Sequence, residues 1–259
     1  SLSSVLDGSW RSISRPPYKG CLGTNERGDF LYRLGEMCFN MFKPGNVRCS
    51  VQETLNNIEP VCRMDKAPSA APWSLRRELA LLVPESSLAK PNTMLKSYDI
   101  VVALTIEPGQ FMAGINEVIP SPPCRFRATH VVHGFFLPDP KIPNRLTVWF
   151  IGGDLAPAPP SPDDEGKMNG EYGDQEDWNT YFGSEFKRTW SEAISVMGAK
   201  LFLGAELPQE MDPNGKMTYA LRRPCGGHGI SYVDVLYVDG DLLITKGNTG
   251  TIHIMVAQR

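Results

Sequence analysis

The sequence predicts a mainly β protein: an antiparallel barrel with one or two flanking helices and an acidic, proline-rich insertion. Three observations favour this fold. The C-terminal stretch Ile230–Arg259 contains short runs rich in Val, Ile, Leu and Tyr that are separated by tight-turn signals, which is the pattern of a β-meander. Tyr98–Ile106 is the most apolar run of the chain and has the length of a central strand. The 24 glycines and 22 prolines exceed average usage and favour many turns and irregular connections.

The N-terminal part supplies two predicted strands. Trp10–Ile13 is the first, and Val47–Thr54 alternates apolar and polar residues after the turn signal Pro44-Gly45-Asn46. The segment between them, Leu31–Phe42, is ambiguous, because its apolar residues fit one face of a helix as well as one face of a strand.

The middle of the chain adds a helix and a hairpin. We predict a short helix at Ser74–Leu82 with Ser74 as its N-cap. Arg125–Phe136 and Arg145–Ile151 are predicted to pair as a long hairpin. Within it, Phe135-Phe136 and Trp149-Phe150 each place one ring on each face of the sheet, because successive strand residues point to opposite sides. At least one ring of each pair must then be covered by a helix, a ligand or a partner.

The segment after this hairpin is predicted to be an insertion followed by a helix. Ala156–Asp177 is expected to be flexible, since its prolines oppose regular structure and its acidic residues favour water. Asp177–Lys200 is the strongest helix candidate. We expect its apolar stripe to belong to the core, to cover the barrel mouth, or to rest on a neighbouring protein or membrane surface. The stripe consists of Trp178, Tyr181, Phe182, Phe186, Trp190, Ile194 and Met197.

The C-terminal meander has two predicted reversals. Asp239-Gly240 is a two-residue loop of the kind that forms a type I′ hairpin turn. Gly247–Gly250 forms the second reversal. The last strand alternates between two sets of residues, of which one is expected to be buried: Ile252, Ile254 and Val256, and Thr251, His253 and Met255.

The composition argues against some classes of function. The formal net charge is −3 and the sequence pI is about 5.9, so we expect no nucleic-acid partner, which would need clustered Lys and Arg. No apolar run approaches the roughly 20 residues of a membrane-spanning helix, so any membrane association is expected to be peripheral. The first residue is Ser1 rather than Met, which we interpret as a processed form.

Metal and catalytic sites are not expected. The six cysteines include no Cys-x-x-Cys pair, and we interpret them mostly as small buried hydrophobic residues. His130-x-x-His133 places two imidazoles on opposite faces of a strand, so they cannot easily share a metal ion. Gly226–Gly229 superficially suggests an oxyanion loop, but no nucleophile motif accompanies it. We therefore predict no metal, no catalytic residues and no enzyme activity.

The C-terminal turns carry a resemblance to a known family. Tyr237–Gly250 resembles the C-terminal signature of the plastid-lipid-associated proteins, the PAP/fibrillin family of plastids. Two arginines of the family pattern are replaced, by Leu243 and Lys246, and lysine does not reproduce the bidentate geometry of arginine. Leu6-x-Gly8-x-Trp10 resembles the start of the family domain, and Arg33-Leu34-Gly35 resembles a segment that leads into a strand. The matching C-terminal motif residues are Asp239, Asp241, Leu242, Lys246, Gly247 and Gly250.

The resemblance implies a lipocalin-like barrel in which the two chain ends pair. It implies a single domain over residues 1–259, with the flexible insertion at about 156–177, in a plastid protein at thylakoids or plastoglobules. The implied function is to bind or sequester an apolar molecule, such as a lipid, quinone, carotenoid or tetrapyrrole. The alternative is a peripheral structural or assembly subunit of a thylakoid photosynthetic complex. A weaker third hypothesis, a lipocalin-type enzyme acting on carotenoids, would need carboxylates that converge in the cavity.

No cofactor is expected other than a bound lipid or pigment. The candidate ligand-binding residues combine the N-terminal tryptophan, the aromatic pairs, the helix and the last strand. They are Trp10, Phe135, Trp149, Phe150, Trp190, Ile252 and Ile254.

Overall fold

The computed structural model describes residues 5–60, 96–109, 111–114, 117–119, 121–139, 141–159, 171–227 and 229–258. The predicted helix at Ser74–Leu82 and the sixth cysteine, Cys62, lie outside these residues. The strands are β1 (Gly8–Ser12), β2 (Phe30–Arg33), β3 (Arg48–Pro60), β4 (Lys96–Ile106), β5 (Phe111–Gly114), β6 (Glu117–Ile119), β7 (Phe126–Pro138), β8 (Arg145–Pro157), β9 (Ala205–Glu206), β10 (Met217–Gly226), β11 (Tyr232–Val238), β12 (Leu242–Gly247) and β13 (Ile252–Ala257). The helices are α1 (Leu34–Met37), α2 (Gln175–Phe182) and α3 (Trp190–Leu203).

Eight antiparallel strands close into a barrel. Their order is β11-β12-β13-β1-β3-β4-β7-β8, and pairing of β8 with β11 closes the ring. β2 adds to β3, β10 adds to β8, and β9 adds to β10, while β5 and β6 form a separate hairpin. The predicted antiparallel barrel with flanking helices is therefore confirmed.

The two ends of the chain meet in the barrel wall. β1 lies between β13 and β3, with Trp10 opposite Ala257 and Ser12 opposite Met255. This confirms the predicted pairing of the C-terminal meander with the Trp10 strand. The Trp10 indole is 2% exposed, and its Nε1 donates to the carbonyl oxygen of Leu6 at 2.9 Å.

The core consists of two clusters of buried side chains. The first, which we call the helix-side cluster, contains residues of α1, α2, β2 and β10 together with the inner faces of β3, β4 and β7. Within it Phe126 contacts Trp178 edge-on at 5.7 Å between ring centroids. The second, which we call the Trp10 cluster, fills the other part of the barrel. Its buried members are Leu6, Trp10, Ile58, Phe136, Leu146, Val148, Val235, Leu243 and Met255.

The N-terminal segments differ from the expectation in two places. Arg33-Leu34-Gly35 leads into the short helix α1 and not into a strand, because the amides of Leu34 and Gly35 donate to the carbonyl oxygens of Val47 and Gly45. The predicted strand Val47–Thr54 is longer, since β3 continues to Pro60 and pairs with β4 along its length. A bulge at Gln52 shifts the register of this pairing.

The single predicted helix Asp177–Lys200 is two helices. α2 ends at Phe182, and the amide of the C-cap residue Gly183 donates to the carbonyl oxygen of Asn179. α3 restarts with a capping box, in which Thr189 Oγ1 accepts from the Glu192 amide and Glu192 Oε2 accepts from the Thr189 amide. Because of this break, the apolar residues of the two helices do not form one continuous stripe.

The predicted insertion is ordered at both of its ends. β8 extends to Pro157, and α2 begins at Gln175. Before α2, the amide of Gly173 donates to Arg125, and the guanidinium of Arg127 lies 4.8 Å from the ring centroid of Tyr172. The neighbouring strand and helix thus reach within two residues of the predicted bounds at about 156 and 177, and residues 160–170 lie outside those that the structure describes.

The turn at Asp239-Gly240 is not the predicted type I′ turn. Neither residue has the positive φ that this turn requires, and the Asp239 amide instead donates to the carbonyl oxygen of Leu242. The Asp239 carboxylate accepts from the amides of Asp241 and Leu242, so the side chain stabilises the reversal. The second reversal is confirmed, with Gly250 at φ 86° and its amide donating to Gly247.

Two tryptophans provide a matched test of the core. We expect Trp10→Ala to destabilise the fold by about 3–5 kcal/mol, because it removes a fully buried ring and leaves a cavity. Trp190 is 87% exposed, so Trp190→Ala should change the monomer's melting temperature little. Thermal unfolding monitored by circular dichroism measures both, and equal losses in the two variants would contradict the position of Trp10 in the core.

Candidate functional site

Two of the candidate ligand-binding residues lie inside the barrel. Trp10 belongs to the Trp10 cluster, and Phe150 is partly buried against it. Tyr98 joins them from β4, with its ring centroid 6.4 Å from Phe150 and 5.7 Å from Phe136. The structure thus brings Trp10 and Phe150 to one side of the interior.

The other candidates lie elsewhere. Phe135 and Trp149 pair across β7 and β8 and point away from the interior, because they alternate with the inward-facing Phe136 and Val148. Both are buried, with exposures of 1% and 2%. The pairs thus place one ring on each face of the sheet, as expected, and the outward-facing Phe135 and Trp149 are covered.

The last strand and α3 also differ from the predicted site. Met255 is the buried residue of β13, so the set that contains Ile252 and Ile254 faces outward, and Ile252 is 42% exposed. Trp190 lies on the outer surface of α3. Ile252, Ile254 and Trp190 therefore do not join Trp10 and Phe150 in the barrel interior.

A polar layer lies between the two apolar clusters. Thr54 and Asn56 face inward from β3, at the levels where Val102 and Ile100 face inward from β4. The Tyr98 hydroxyl donates to Asn56 Oδ1 at 2.8 Å. Thr54 Oγ1 is buried and has no hydrogen-bond partner among the residues that the structure describes. We call Thr54, Asn56 and Tyr98 the polar layer.

His130 adds an imidazole near this layer. It is fully buried, it faces inward opposite Val102, and its ring meets Phe42 edge-on at 5.8 Å. Nδ1 lies 2.8 Å from the carbonyl oxygen of Asp154. Nε2 has no hydrogen-bond partner among the described residues. The Met37 backbone is nevertheless close enough to raise the pKa of the ring. Burial lowers the pKa of His130, so the ring is neutral at pH 7.

Sequence reasoning missed the polar layer for an identifiable reason. The sequence predicts this strand only as far as Thr54, so Asn56 and Asn57 fall outside it. In the structure they are strand residues, and Asn57 accepts from Ser9 on the other side of the wall. The signal that could have found the layer is the alternation Thr54, Asn56, Ile58, which continues the period of two.

His133 lies outside the barrel, as the alternation from His130 predicts. Its Nδ1 is 3.1 Å from Asp99 Oδ1, and its Nε2 is 3.0 Å from Asp154 Oδ2. Lys216 and Thr218 also contact Asp154, each at 2.7 Å. The two histidines therefore do not share a site, and the described residues contain no cluster of three or more possible metal ligands.

The electrostatics of this outer network follow from its hydrogen bonds. Those from Asp154 and then Asp99 raise the pKa of His133 to about 9. Burial opposes ionisation of Asp154, but the contacts from His133, Lys216 and Thr218 outweigh it and hold the pKa of Asp154 below its usual range. A protonated His133 between two carboxylates thus links β4, β7 and β8.

The family-motif residues form the turns of the C-terminal meander. Tyr237 donates to Asp239 Oδ2 at 2.7 Å, which fixes the carboxylate that closes the first turn. Lys246 lies opposite Asp234, whose pKa is lowered mainly by the bidentate contact from Arg145 and also by Lys246. These contacts are structural. The remaining motif residues, Asp241, Leu242, Gly247 and Gly250, lie in or beside the same two turns.

Two clefts on the outer surface are less suited to an apolar molecule. A groove of about 1480 Å³ lies between the end of α2 and the 204–212 loop, but its apolar floor residues Phe42, Phe182 and Met217 are already buried by their neighbours. A second cleft of about 590 Å³ has a polar floor that includes Ser50 and Glu107, which are hydrogen-bonded to each other.

Comparison with known proteins adds no family match to the resemblance that the quoted motifs carry. The scan against protein-family models finds no match to this chain, and searches of curated proteins and of solved structures find none either. Among the described residues, no helix combines the length and the apolar composition needed to cross a membrane.

His133 predicts a specific pH dependence of stability. Its pKa is raised from 6.5 to about 9 in the folded state, so its stabilisation is complete below pH 6.5 and is lost as the pH rises through about 9. We expect the melting temperature of the wild type to fall more steeply over this interval than that of His133→Gln. Parallel curves for the two proteins, measured by differential scanning calorimetry, would contradict this role.

Proposed function

We propose that this chain is a non-enzymatic plastid protein that binds an apolar molecule with a polar end inside its barrel. The observation that carries the proposal is the polar layer, in which the buried Thr54 hydroxyl adjoins the Asn56–Tyr98 hydrogen bond between two apolar clusters. A lipid, quinone, carotenoid or tetrapyrrole combines apolar surface with such polar atoms.

The energetics of the layer support a ligand. A buried hydroxyl without a hydrogen bond costs about 1–3 kcal/mol, and valine of nearly the same shape would avoid this cost. A threonine at this position is therefore better explained by a partner that its hydroxyl recognises. Eight-stranded antiparallel barrels are wide enough to hold one small ligand.

The placement of the acids supports binding rather than catalysis. Asp154 and Glu107 are buried acids of the described barrel, and both are engaged outside the interior. Asp154 contacts His133 and Lys216, and Glu107 contacts Arg125 and Ser50. General acid–base chemistry on a bound molecule needs a titrating group within hydrogen-bond reach of it.

The plastid location is proposed from the resemblance alone. Tyr237–Gly250 and Leu6-x-Gly8-x-Trp10 are the segments that resemble the PAP/fibrillin family, and β13, the strand that follows the first segment, pairs with the Trp10 strand. We propose residence at thylakoids or plastoglobules, where apolar ligands of the stated classes are available.

The experiment is extraction of the purified protein with organic solvent, followed by mass spectrometry of the extract. The wild type and Thr54→Val are purified from the same chloroplast-containing host. We expect Thr54→Val to retain roughly tenfold less of the bound molecule, the effect of losing one buried hydrogen bond. When both proteins are free of ligand, the free energy of unfolding of Thr54→Val should equal or exceed that of the wild type, because the variant no longer buries an unpaired hydroxyl.

Thr129→Val is the matched control. Thr129 lies on β7 next to His130 and points to the outer face, so its replacement should leave the bound molecule unchanged. Equal retention by Thr54→Val and the wild type would place the ligand outside the polar layer. Absence of any co-purified molecule from the wild type would overturn the proposed function.

A further inference from the structure

One side of α3 presents large apolar side chains to solvent. Trp190 is 87% exposed, Ile194 60%, Met197 64% and Leu201 71%. They recur at steps of four, three and four residues, so they lie along one side of the helix. We call these four residues the α3 face.

The opposite side of α3 already packs on the barrel. Glu192 and Val196 are buried there, and Ala199 and Leu203 are packed against the helix-side cluster. Both sides of the helix are therefore largely apolar. Lys200 is the only exposed charged side chain of α3, because Glu192 is turned inward by the capping box.

We propose that the α3 face is covered by the α3 face of a second copy of this chain, with the two helices antiparallel. Alternating steps of three and four residues give the apolar seam of paired helices, in which side chains of one helix fill the gaps of the other. Two-fold pairing requires a self-complementary surface, and the α3 face meets this requirement.

The antiparallel arrangement gives each residue a suitable partner. With the two-fold axis midway between Ile194 and Met197, Ile194 of one copy lies opposite Met197 of the other. Trp190 then lies opposite Leu201, and the neighbouring Lys200 reaches the indole, where a cation over the ring is favourable. A parallel pair would instead place Trp190 opposite Trp190 and Lys200 beside neither indole.

The area is sufficient for a stable pair. The exposed parts of the four side chains amount to on the order of 600 Å² per copy, or roughly 1,200 Å² in the pair, the lower end of specific interfaces. A lipid surface fits less well. Helices that lie on membranes are typically rich in Lys and Arg, whereas α3 exposes one lysine in a chain of net charge −3.

The experiment measures the mass of the full chain by sedimentation velocity over a range of concentrations. The wild type should show a dimer that dissociates on dilution. Ile194→Glu and Met197→Lys should each be monomeric at concentrations where the wild type is paired, with the circular dichroism spectrum unchanged because both positions are exposed. Ser195→Glu is the matched control, since Ser195 is exposed on the same helix but lies outside the α3 face, and it should remain dimeric.

Mixing the two monomeric variants tests the direction of the pair. In an antiparallel pair, Glu at 194 of one variant meets Lys at 197 of the other, so the mixture should recover a heterodimer. Monomers in the mixture would overturn the antiparallel arrangement.

A wild type that stays monomeric, or dimers that survive both substitutions, would overturn the proposal. A monomeric wild type that floats with lipid vesicles through this face would assign it to a membrane surface instead.

Discussion

Closure of the barrel depends on β8, because this strand divides one of its edges between two partners. Its first residues pair with β11, where Thr147 lies opposite Tyr232, and its later residues pair with β10. The chain must pass from one partner to the other near Val148, whose carbonyl oxygen accepts from the Gly227 amide and whose amide donates to Ser231. Gly226 stands at this crossing with φ 121°, and a Cβ there would lie 2.3 Å from the Val148 oxygen. Only glycine permits this close approach.

The polar layer follows from how the closed barrel is filled. The helix-side cluster, which includes Phe42 and Trp178, fills one part of the barrel, and the Trp10 cluster fills the other. Side chains anchored in these two clusters leave the level of Thr54 and Asn56 between them, where short polar side chains replace large apolar ones. The polar layer is thus a consequence of two separate apolar clusters, and under the proposed function the bound molecule would pair with the Thr54 hydroxyl.

Much of the fold could be predicted because the signals for it are local. The Trp10 strand, the central strand and the C-terminal meander are defined by alternation and turn residues, and all three are found. The errors occur where a side chain or a tertiary contact decides the backbone. Asp239 closes its turn with its own carboxylate, and Arg33-Leu34-Gly35 becomes helical because the 45–47 backbone accepts its amides.

The candidate site was only partly predictable. Trp10 and Phe150 are brought together, but the positions of Ile252, Ile254 and Trp190 depend on which face of the strand or helix packs on the barrel.

α3 shows why an exposed apolar surface can be a feature of the sequence and not a by-product of folding. The helix begins and ends by local signals, the capping box of Thr189 and Glu192 at one end and Gly204 in the left-handed conformation at the other. Its inner side, with Val196 and Leu203, is sufficient to hold it against β9 and β10. Polar residues on the α3 face would therefore leave the helix equally well formed and would avoid the roughly 1.5–3 kcal/mol that each large apolar side chain forgoes in water. Because the fold does not require this composition, the α3 face is best explained by recognition, at a surface separate from the barrel interior. The proposed binding inside the barrel and the proposed pairing through α3 would thus use different residues and impose independent constraints on the sequence.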